Sequence, residues 1–233
     1  MAVVAGSPDF PGAALLTVGG ARRGGAGYVK FVGKTESLNH LVVSQFPDVV
    51  PIKNLVNQRV DALVVGPGAV SIKKLPEVSR IVLDSTALKL ALNNAQSITR
   101  NQIIVVTPHE GELKILGYPK PTANSERSKV AQQIADDLNV VVVLKGNKTV
   151  IAAPKQKLII DRLGGPELAT AGSGDVLAGV IGAFLASWRP DDLKSAQKVV
   201  ADAVNLHSKA GAVAAQKYSC VVATDLLESL AYC

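Results

Sequence analysis

The run Ile103-Ile104-Val105-Val106 ends directly at Thr107-Pro108, and this short stretch decides the fold class. Its four apolar residues follow one another without polar alternation, which is typical of a strand buried on both faces. Such strands occur in parallel sheets that carry helices on two sides. Four further runs of the same kind end at Gly, Asp or Lys-Gly: Val3-Val4-Ala5, residues 62–65, Ile81-Val82-Leu83 and residues 140–144.

Segments with helical spacing separate these runs. Apolar side chains recur every four positions over residues 128–138, which predicts an amphipathic helix. Two long helices are predicted over residues 173–188 and 191–216, and a last helix has Thr224 as its expected N-cap. A β-hairpin at the sheet edge is predicted over residues 149–160. Strands that alternate with helices predict a three-layer α/β fold with a mostly parallel central sheet.

Composition narrows the class of protein. Hydrophobic residues make up 48% of the 233 residues and charged residues 19%, which excludes a disordered chain. No linker, internal repeat or low-complexity tract interrupts the sequence, so we expect a single domain over residues 1–233. The net charge is +6 and no run of Lys or Arg exceeds two residues, so we expect small anionic ligands and no nucleic acid.

The N-terminus and the cysteines indicate a cytoplasmic protein. The sequence starts MAVVAGSPDF, without the basic region and apolar stretch of a secretory signal peptide. The longest apolar stretch, residues 176–188, is too short to cross a bilayer, so we expect no membrane association. Cys220 and Cys233 belong to no CxxC or Cys/His cluster, and we interpret them as free thiols in a reducing compartment.

Unusual residues follow the buried runs. Because ligands of an open parallel sheet bind beyond the carboxyl ends of its strands, these residues are expected to lie along one edge. They are Gly6-Ser7, Gly66-Pro67-Gly68, Asp84, His109, Lys145-Gly146 and residues 172–175.

The most informative motif is Ala171-Gly172-Ser173-Gly174-Asp175, which opens an apolar helix. Its glycines let the backbone approach a ligand closely, and free N–H groups at a helix N-terminus attract anions. A carboxylate in that first turn suits the role of general base beside a phosphoryl group that is being transferred. The alternative is an ordinary N-cap in which Ser173 and Asp175 satisfy helix N–H groups.

Two further loops carry candidate ligands. In Lys145-Gly146-Asn147-Lys148-Thr149 the ammonium and hydroxyl groups could contact phosphate, although the same residues could form a plain polar turn. Pro108 presents His109 at the sheet edge, where it either contacts a ligand or is an incidental surface histidine. Glu110 and Glu112 either hold Mg²⁺ through water or simply begin a helix.

Other polar residues are interpreted as structural. Arg22 and Arg23 are expected to be solvated, and His207 on the apolar face of its helix is expected to be a core histidine. No GxxxxGK[ST] loop, dinucleotide-binding GxGxxG, GxSxG elbow or zinc-type cluster occurs in the sequence.

The motifs together resemble the ADP-dependent NAD(P)H-hydrate dehydratases, a branch of the ribokinase-like superfamily. The resemblance covers almost the whole chain, and the combination of Thr-Pro-His-x-Gly-Glu with Ala-Gly-Ser-Gly-Asp is its most specific part. The matching segments are GSPDFPGAA from Gly6, RRGGAGYV from Arg22, VVGPGA from Val64, VTPHEGEL from Val106, VVLKGNKTVIA from Val142 and ELATAGSGDVLAGVIGAFLA from Glu167.

This resemblance implies a repair enzyme, a hydro-lyase of nicotinamide nucleotides. Such enzymes transfer the terminal phosphoryl group of ADP to the hydroxyl of hydrated NADH or NADPH (NADHX or NADPHX). Phosphate then leaves, and NADH or NADPH is restored with AMP and phosphate as by-products. The resemblance therefore implies ADP as co-substrate and Mg²⁺ to neutralise the diphosphate. We also expect a homo-oligomer whose other partners are these small molecules.

The resemblance also implies roles for individual residues. Asp175 would be the catalytic base, and the N–H groups of Gly172, Ser173 and Gly174 would form the anion hole. The hydrate would contact Ala26, Gly68, His109 and Asp175. The nucleotide would contact Lys145, Gly146, Asn147, Lys148, Thr149 and Gly174, and Glu112 is the candidate for holding the metal through water.

The sequence departs from the family pattern at two positions in its loops. Thr86 replaces a second acid near Asp84, and Glu167 adds negative charge near the predicted anion site, where we expect it to weaken substrate binding. Two other functions remain open. One is a ribokinase-like kinase for a hydroxymethylpyrimidine, thiazole or pyridoxal alcohol. The other is a nucleotide-binding regulator without turnover.

Overall fold

The buried apolar runs form the strands of one sheet in this computed structural model, which describes residues 1–94 and 102–233. In chain order the strands are β1 (Ala2–Val4), β2 (Lys30–Phe31), β3 (Val50–Pro51), β4 (Leu63–Val65), β5 (Arg80–Leu83), β6 (Ile103–Val106), β7 (Val141–Leu144), β8 (Val150–Ala152) and β9 (Ile159–Ile160). Their order across the sheet is β3-β2-β1-β4-β5-β6-β7-β8-β9.

The sheet is mostly parallel, as predicted. In its centre Val82 of β5 pairs with Val105 of β6, and Val105 pairs with Val141 of β7, all in parallel register. Among the described strands only β8 runs against its neighbours, because it forms antiparallel pairs with both β7 and β9. The predicted hairpin at the edge of the sheet is therefore confirmed.

Helices cover both faces of the sheet. The α-helices are α1 (Pro11–Arg23), α2 (Glu36–Gln45), α3 (Lys89–Asn94), α4 (Asn124–Leu138), α5 (Ser173–Trp188), α6 (Leu193–Lys217) and α7 (Ala223–Ser229). Short 3₁₀ helices span Ser85–Leu88, Glu110–Leu116, Pro166–Leu168 and Leu230–Tyr232.

Two apolar clusters separate the layers. Val3, Val64 and Val105 belong to the cluster under α1, α2, α5, α6 and α7. Their strand neighbours Leu63 and Ile104 belong to the opposite cluster, which also contains residues of α3 and α4. Successive residues of each strand thus enter different layers, as a pleated strand requires. The three-layer α/β prediction is confirmed.

The predicted helix N-cap at Thr224 is wrong. Helix α7 begins at Ala223, and its N-cap is Val222. The carboxylate of Asp225, which lies in the first turn of the helix, accepts the N–H of the N-cap residue Val222 at 2.9 Å. This reciprocal contact takes the place of the predicted threonine cap.

Helices α1 and α5 pack backbone to backbone. A Cβ on Gly179 of α5 would collide with the carbonyl oxygen of Thr17, and one on Gly20 of α1 would collide with the carbonyl oxygen of Val176. The absence of side chains at both positions lets the helices touch. Gly172, the N-cap of α5, lies against Leu16 in the middle of α1. The first half of α1 and the start of α5 therefore line one cavity together.

Gly179→Ala is expected to destabilise the fold because neither backbone can yield to the added methyl group. Overpacking of this kind costs about 2 kcal/mol or more, equivalent to a fall in Tm of roughly 4–8 °C. Thermal unfolding followed by circular dichroism measures this. Gly12→Ala in α1 is the control, because a Cβ there meets nothing within 4 Å. Equal Tm values for the two variants would contradict the packing argument.

No helix in residues 1–94 and 102–233 combines the length and the apolarity that a membrane span needs. Cys220 and Cys233 are exposed, and both are free thiols.

Candidate functional site

Two adjacent cavities open at the carboxyl edge of the sheet. The large cavity has a volume of about 850 Å³ and is lined by the predicted residues His109, Lys145, Gly146, Asn147, Thr149, Ser173 and Gly174, together with neighbouring side chains. The small cavity has a volume of about 520 Å³, and its lining includes Phe10, Gly12, Gly68, Gly172 and Asp175. Residues 172–175 contribute to both linings and therefore form the wall between the cavities.

The turn that forms this wall depends on a glycine. Gly172 is the N-cap of α5 with a left-handed φ of 90°, and a Cβ there would collide with Leu16. No side chain caps this N-terminus, so the alternative in which Ser173 and Asp175 act as ordinary caps is wrong. The Ser173 N–H donates to the Thr170 carbonyl oxygen at 3.2 Å. The N–H groups that follow it in this first turn lie at the positive end of the helix dipole, where they can bind an anion.

Asp175 has the electrostatic properties of a base. Burial raises the pKa of its carboxyl group to about 7, with a further contribution from Asp84 and an opposing one from Lys145. A carboxylate with a pKa near neutrality accepts a proton efficiently at physiological pH. A group that is perturbed in this way and lies in a cleft is a candidate for function.

Lys145 is the cation of the site. Its ammonium lies 2.7 Å from Asp84 Oδ1 and 3.8 Å from Glu112 Oε2, and the Thr107 hydroxyl donates to the same Asp84 oxygen at 2.6 Å. Burial alone would lower the pKa of this lysine, but the two carboxylates outweigh burial and raise it. The ammonium is therefore charged at neutral pH, beside the wall between the cavities.

His109 and the two acids that follow it form a capped helix start. Glu110 and Glu112 lie in the first turn of the 3₁₀ helix Glu110–Leu116, as one of the two interpretations expected, and the role of Glu112 toward a metal remains a prediction. Glu112 accepts the His109 N–H at 2.9 Å, and His109 Nδ1 accepts the Gly111 N–H at 3.0 Å. Among the described residues, no group of three or more His, Cys, Asp or Glu side chains could hold a metal ion by itself.

Not every predicted site residue lines a cavity. Ala26 follows the far end of α1 and donates its N–H to Ala21 at 3.1 Å. The Lys148 side chain is exposed, although the backbone of this residue belongs to the same loop as Lys145. Neither residue is among those lining the two cavities. Their assigned roles remain predictions.

Of the three side chains interpreted as structural, Arg23 and His207 lie as expected and Arg22 does not. Arg22 is not solvated in the expected way, because its Nε donates to Asp48 at 2.7 Å and its guanidinium lies 4.5 Å from the Phe46 ring centre. Arg23 is exposed, as expected. His207 is a core histidine: burial lowers its pKa to about 4, and Nε2 lies 3.1 Å from the Ser173 carbonyl oxygen.

The two departures from the family pattern have local structural partners. The Thr86 hydroxyl donates to the Val70 carbonyl oxygen at 3.1 Å, so it joins the loop that follows β4 to the 3₁₀ helix after β5. Glu167 accepts the Gly165 N–H at 2.9 Å, which holds its carboxylate at its own turn. The expected effect of Glu167 on substrate binding remains a prediction.

Asp175→Asn is expected to stabilise the protein increasingly as pH rises from 5 to 8. The native pKa of about 7 lies above the ordinary 3.8, so the wild type loses stability as pH rises between these values. The free energy of unfolding of the wild type falls by at most about 4 kcal/mol for this reason. Tm measured across this pH range tests this, with Asp202→Asn on the exposed face of α6 as control. A Tm difference that is independent of pH would contradict it.

Residues 1–231 match the model of the NAD(P)H-hydrate dehydratase family. The chain belongs to the NAD(P)H-hydrate dehydratase family. It is 36% identical over 198 residues to a bifunctional NAD(P)H-hydrate repair enzyme of Mycobacterium tuberculosis; the match covers 81% of this chain and 41% of that relative. The chain thus spans less than half of this relative.

Solved structures agree with the family assignment. The ADP/ATP-dependent NAD(P)H-hydrate dehydratase of Bacillus subtilis, co-crystallised with ATP and Mg²⁺, superposes with a TM-score of 0.81 at 28% identity, over 98% of this chain and 86% of that one. A ribokinase-like superfamily protein of Enterococcus faecalis gives a TM-score of 0.79 at 22% identity, covering 99% and 84%. The ribokinase-like fold is confirmed.

Proposed function

We propose that this chain dehydrates hydrated NADH and NADPH with ADP as phosphoryl donor, giving NADH or NADPH, AMP and phosphate. The names of its family and of its Bacillus subtilis relative support this activity. The single observation that carries it is the position of Asp175, a half-buried carboxylate in the turn between two cavities. Transfer requires the reacting atoms of the two substrates to meet, and the two cavities adjoin at the turn that carries Asp175.

The large cavity is the proposed nucleotide site. Lys145 and Thr149 supply an ammonium and a hydroxyl group to its lining, and Gly146 and Gly174 also line it. Asn147 lines the same cavity. We include Lys148 only through its place in the loop.

The small cavity is the proposed site of the hydrate. Gly68 and Asp175 line it, so the reactive hydroxyl would lie against the Asp175 carboxylate. His109 lines the large cavity instead, which would place it at the diphosphate side of the boundary. The assignment of Ala26 and His109 to hydrate binding rests on family resemblance.

In the proposed reaction Asp175 accepts the proton of the hydrate hydroxyl as that oxygen attacks the terminal phosphorus of ADP. The bond between this phosphorus and the bridging oxygen breaks, and AMP leaves. The N–H groups of Gly172 and Gly174 and the Lys145 ammonium stabilise the charge on the transferring group. The Ser173 N–H, the third predicted donor, already donates to the Thr170 carbonyl oxygen. The carbon–oxygen bond of the phosphorylated ring then breaks, a proton leaves the neighbouring carbon, and the ring double bond forms again with release of phosphate.

Magnesium fits the donor chemistry of the site. Mg²⁺ prefers carboxylate and phosphate oxygens and keeps several waters, so a site without a protein cluster suits an ion that arrives with the diphosphate. Glu112, whose carboxylate lies near Lys145, is the proposed contact through water. When bound, the ion would neutralise the charge of the diphosphate.

The proposed partners are ADP and the two hydrates, and nucleic acid is not among them. Homo-oligomer formation and a cytoplasmic location remain part of the proposal.

The decisive test supplies acid-made NADH hydrate with ADP and Mg²⁺ and follows absorbance in the nicotinamide band. Recovery of absorbance together with AMP release is expected. Phosphorylation of a hydroxymethylpyrimidine, thiazole or pyridoxal alcohol by ATP, without recovery of NADH, would establish the kinase alternative instead. Nucleotide binding without either reaction would indicate a regulator.

A further inference from the structure

We infer that Arg127 is a positioning residue that holds the nucleotide loop, defined as residues 144–149, in the shape that receives phosphate. The inference rests on the proposed function only in taking the large cavity as the nucleotide site. Arg127 lies in the first turns of α4, outside both cavities, and its side chain is 7% exposed. Nothing in the sequence pattern marks it, because it lies within an amphipathic helix.

The guanidinium of Arg127 forms hydrogen bonds with several backbone carbonyl groups of this loop. Nη2 is within hydrogen-bonding distance of three carbonyl oxygens, at 3.2 Å from Leu144, 3.3 Å from Lys145 and 3.2 Å from Lys148. A planar guanidinium with several donors suits such a task better than the single ammonium of lysine. One buried side chain therefore fixes both ends of the turn.

The bonded carbonyl groups determine where the amide hydrogens point. In a planar trans peptide the N–H of one residue points opposite to the carbonyl of the residue before it. Because the carbonyls of Lys145 and Lys148 point to Arg127, the N–H groups of Gly146 and Thr149 point away from it. Both of these residues line the large cavity. The geometry thus presents two amide donors for phosphate oxygens.

Close packing leaves the loop no room to move toward Arg127. Gly146 has a φ of 156°, and a Cβ there would lie 2.5 Å from both terminal guanidinium nitrogens. The loop is also tied on its other side, because the Lys145 N–H donates to the Pro108 carbonyl oxygen at 2.8 Å. Its conformation is therefore set from two directions.

Glu110 fixes the guanidinium itself. Its carboxylate forms an ion pair with Arg127 Nη1. Because Glu110 directly follows His109, this pair joins the His109 loop to the nucleotide loop. A buried arginine with a carboxylate partner keeps its orientation, whereas an unpaired one would lose it.

Arg127→Lys keeps the positive charge but cannot reach all three carbonyls. We expect the Kd for ADP, measured by calorimetry in the presence of Mg²⁺, to rise at least about tenfold. The affinity for adenosine, which lacks phosphate, should stay within about twofold of the wild-type value. A purely structural role would weaken both ligands equally or neither.

Arg80→Lys is the matched control. Arg80 is also partly buried and also donates to backbone, at 2.8 Å to the Pro190 carbonyl oxygen, but it begins β5 at the opposite edge of the sheet. We expect the Tm of this variant to fall by about as much as that of Arg127→Lys, while its Kd for ADP stays unchanged. Equal losses of ADP affinity in the two variants would overturn the inference.

Glu110→Gln tests the same inference if Arg127→Lys does not fold. It should raise the Kd for ADP by about threefold or more, because the guanidinium loses its charged anchor. ADP binding within twofold of wild type in every folded variant would overturn the role of Arg127. A wild-type protein that binds ADP but restores no NADH would defeat the proposed function and leave the role of Arg127 intact.

Discussion

Asp175→Asn is expected to lower kcat/KM for NADH hydrate by at least ~10²-fold, because the amide cannot accept the hydroxyl proton. The variant should still bind ADP, since Asp175 lines the small cavity and not the large one. Recovery of nicotinamide absorbance under limiting hydrate measures the rate, and calorimetry with ADP measures binding.

The pH profile of the wild type provides a second readout. The base must be ionised, and its pKa is raised to about 7, so activity should fall about tenfold per pH unit below that value and level off above it. Asp202→Asn, an exposed carboxylate on α6, should leave both rate and profile unchanged. A loss of less than tenfold in Asp175→Asn would remove this residue from the role of base.

Lys145→Met is expected to lower kcat/KM by a comparable ~10²-fold or more through two effects. The variant loses the ammonium that would contact transferring phosphate, and ADP binding weakens accordingly. It also leaves Asp84, Glu112 and Asp175 without their shared cation. The pKa of Asp175 should then rise further, because Lys145 is the group that lowers it.

The rate of Lys145→Met measured against pH separates these effects. We expect its midpoint to move to higher pH than in the wild type, in addition to the lower plateau. Lys157→Met, which removes an exposed ammonium before β9, is the control. It should keep the plateau rate and the midpoint pH of the wild type. A lower plateau with an unshifted midpoint would show that the electrostatic coupling between Lys145 and Asp175 is absent.

Much of the fold could be read from local pattern. Strand β6 and helix α5 have the predicted bounds, because continuous apolar runs and a proline stop are encoded by neighbours in sequence. Strands β2 and β3 went unpredicted. Each is two residues long, and Lys30 and Pro51 are not strand-like. β2 forms because it pairs with β1, and β3 forms because it pairs with β2.

The site was predictable in its loops but not in its pairings. The glycine turn and the nucleotide loop stand out by composition, and both lie at the expected edge of the sheet. The Lys145–Asp84 pair joins residues 61 positions apart, and the bonds from Arg127 to the nucleotide loop join positions 17 to 21 apart. The pair of Arg22 and Asp48 also joins distant positions, 26 apart, and was not predicted. Tertiary contacts of this kind leave no local pattern.

A partition built from main chain, as residues 172–174 are, keeps its shape when side chains around it drift. Substitutions at Phe10, whose exposed side chain lines the small cavity, would therefore change which acceptor alcohol fits there while the nucleotide cavity keeps its shape. Specificity for the acceptor alcohol can therefore evolve by single substitutions while the site keeps its ability to bind the nucleotide.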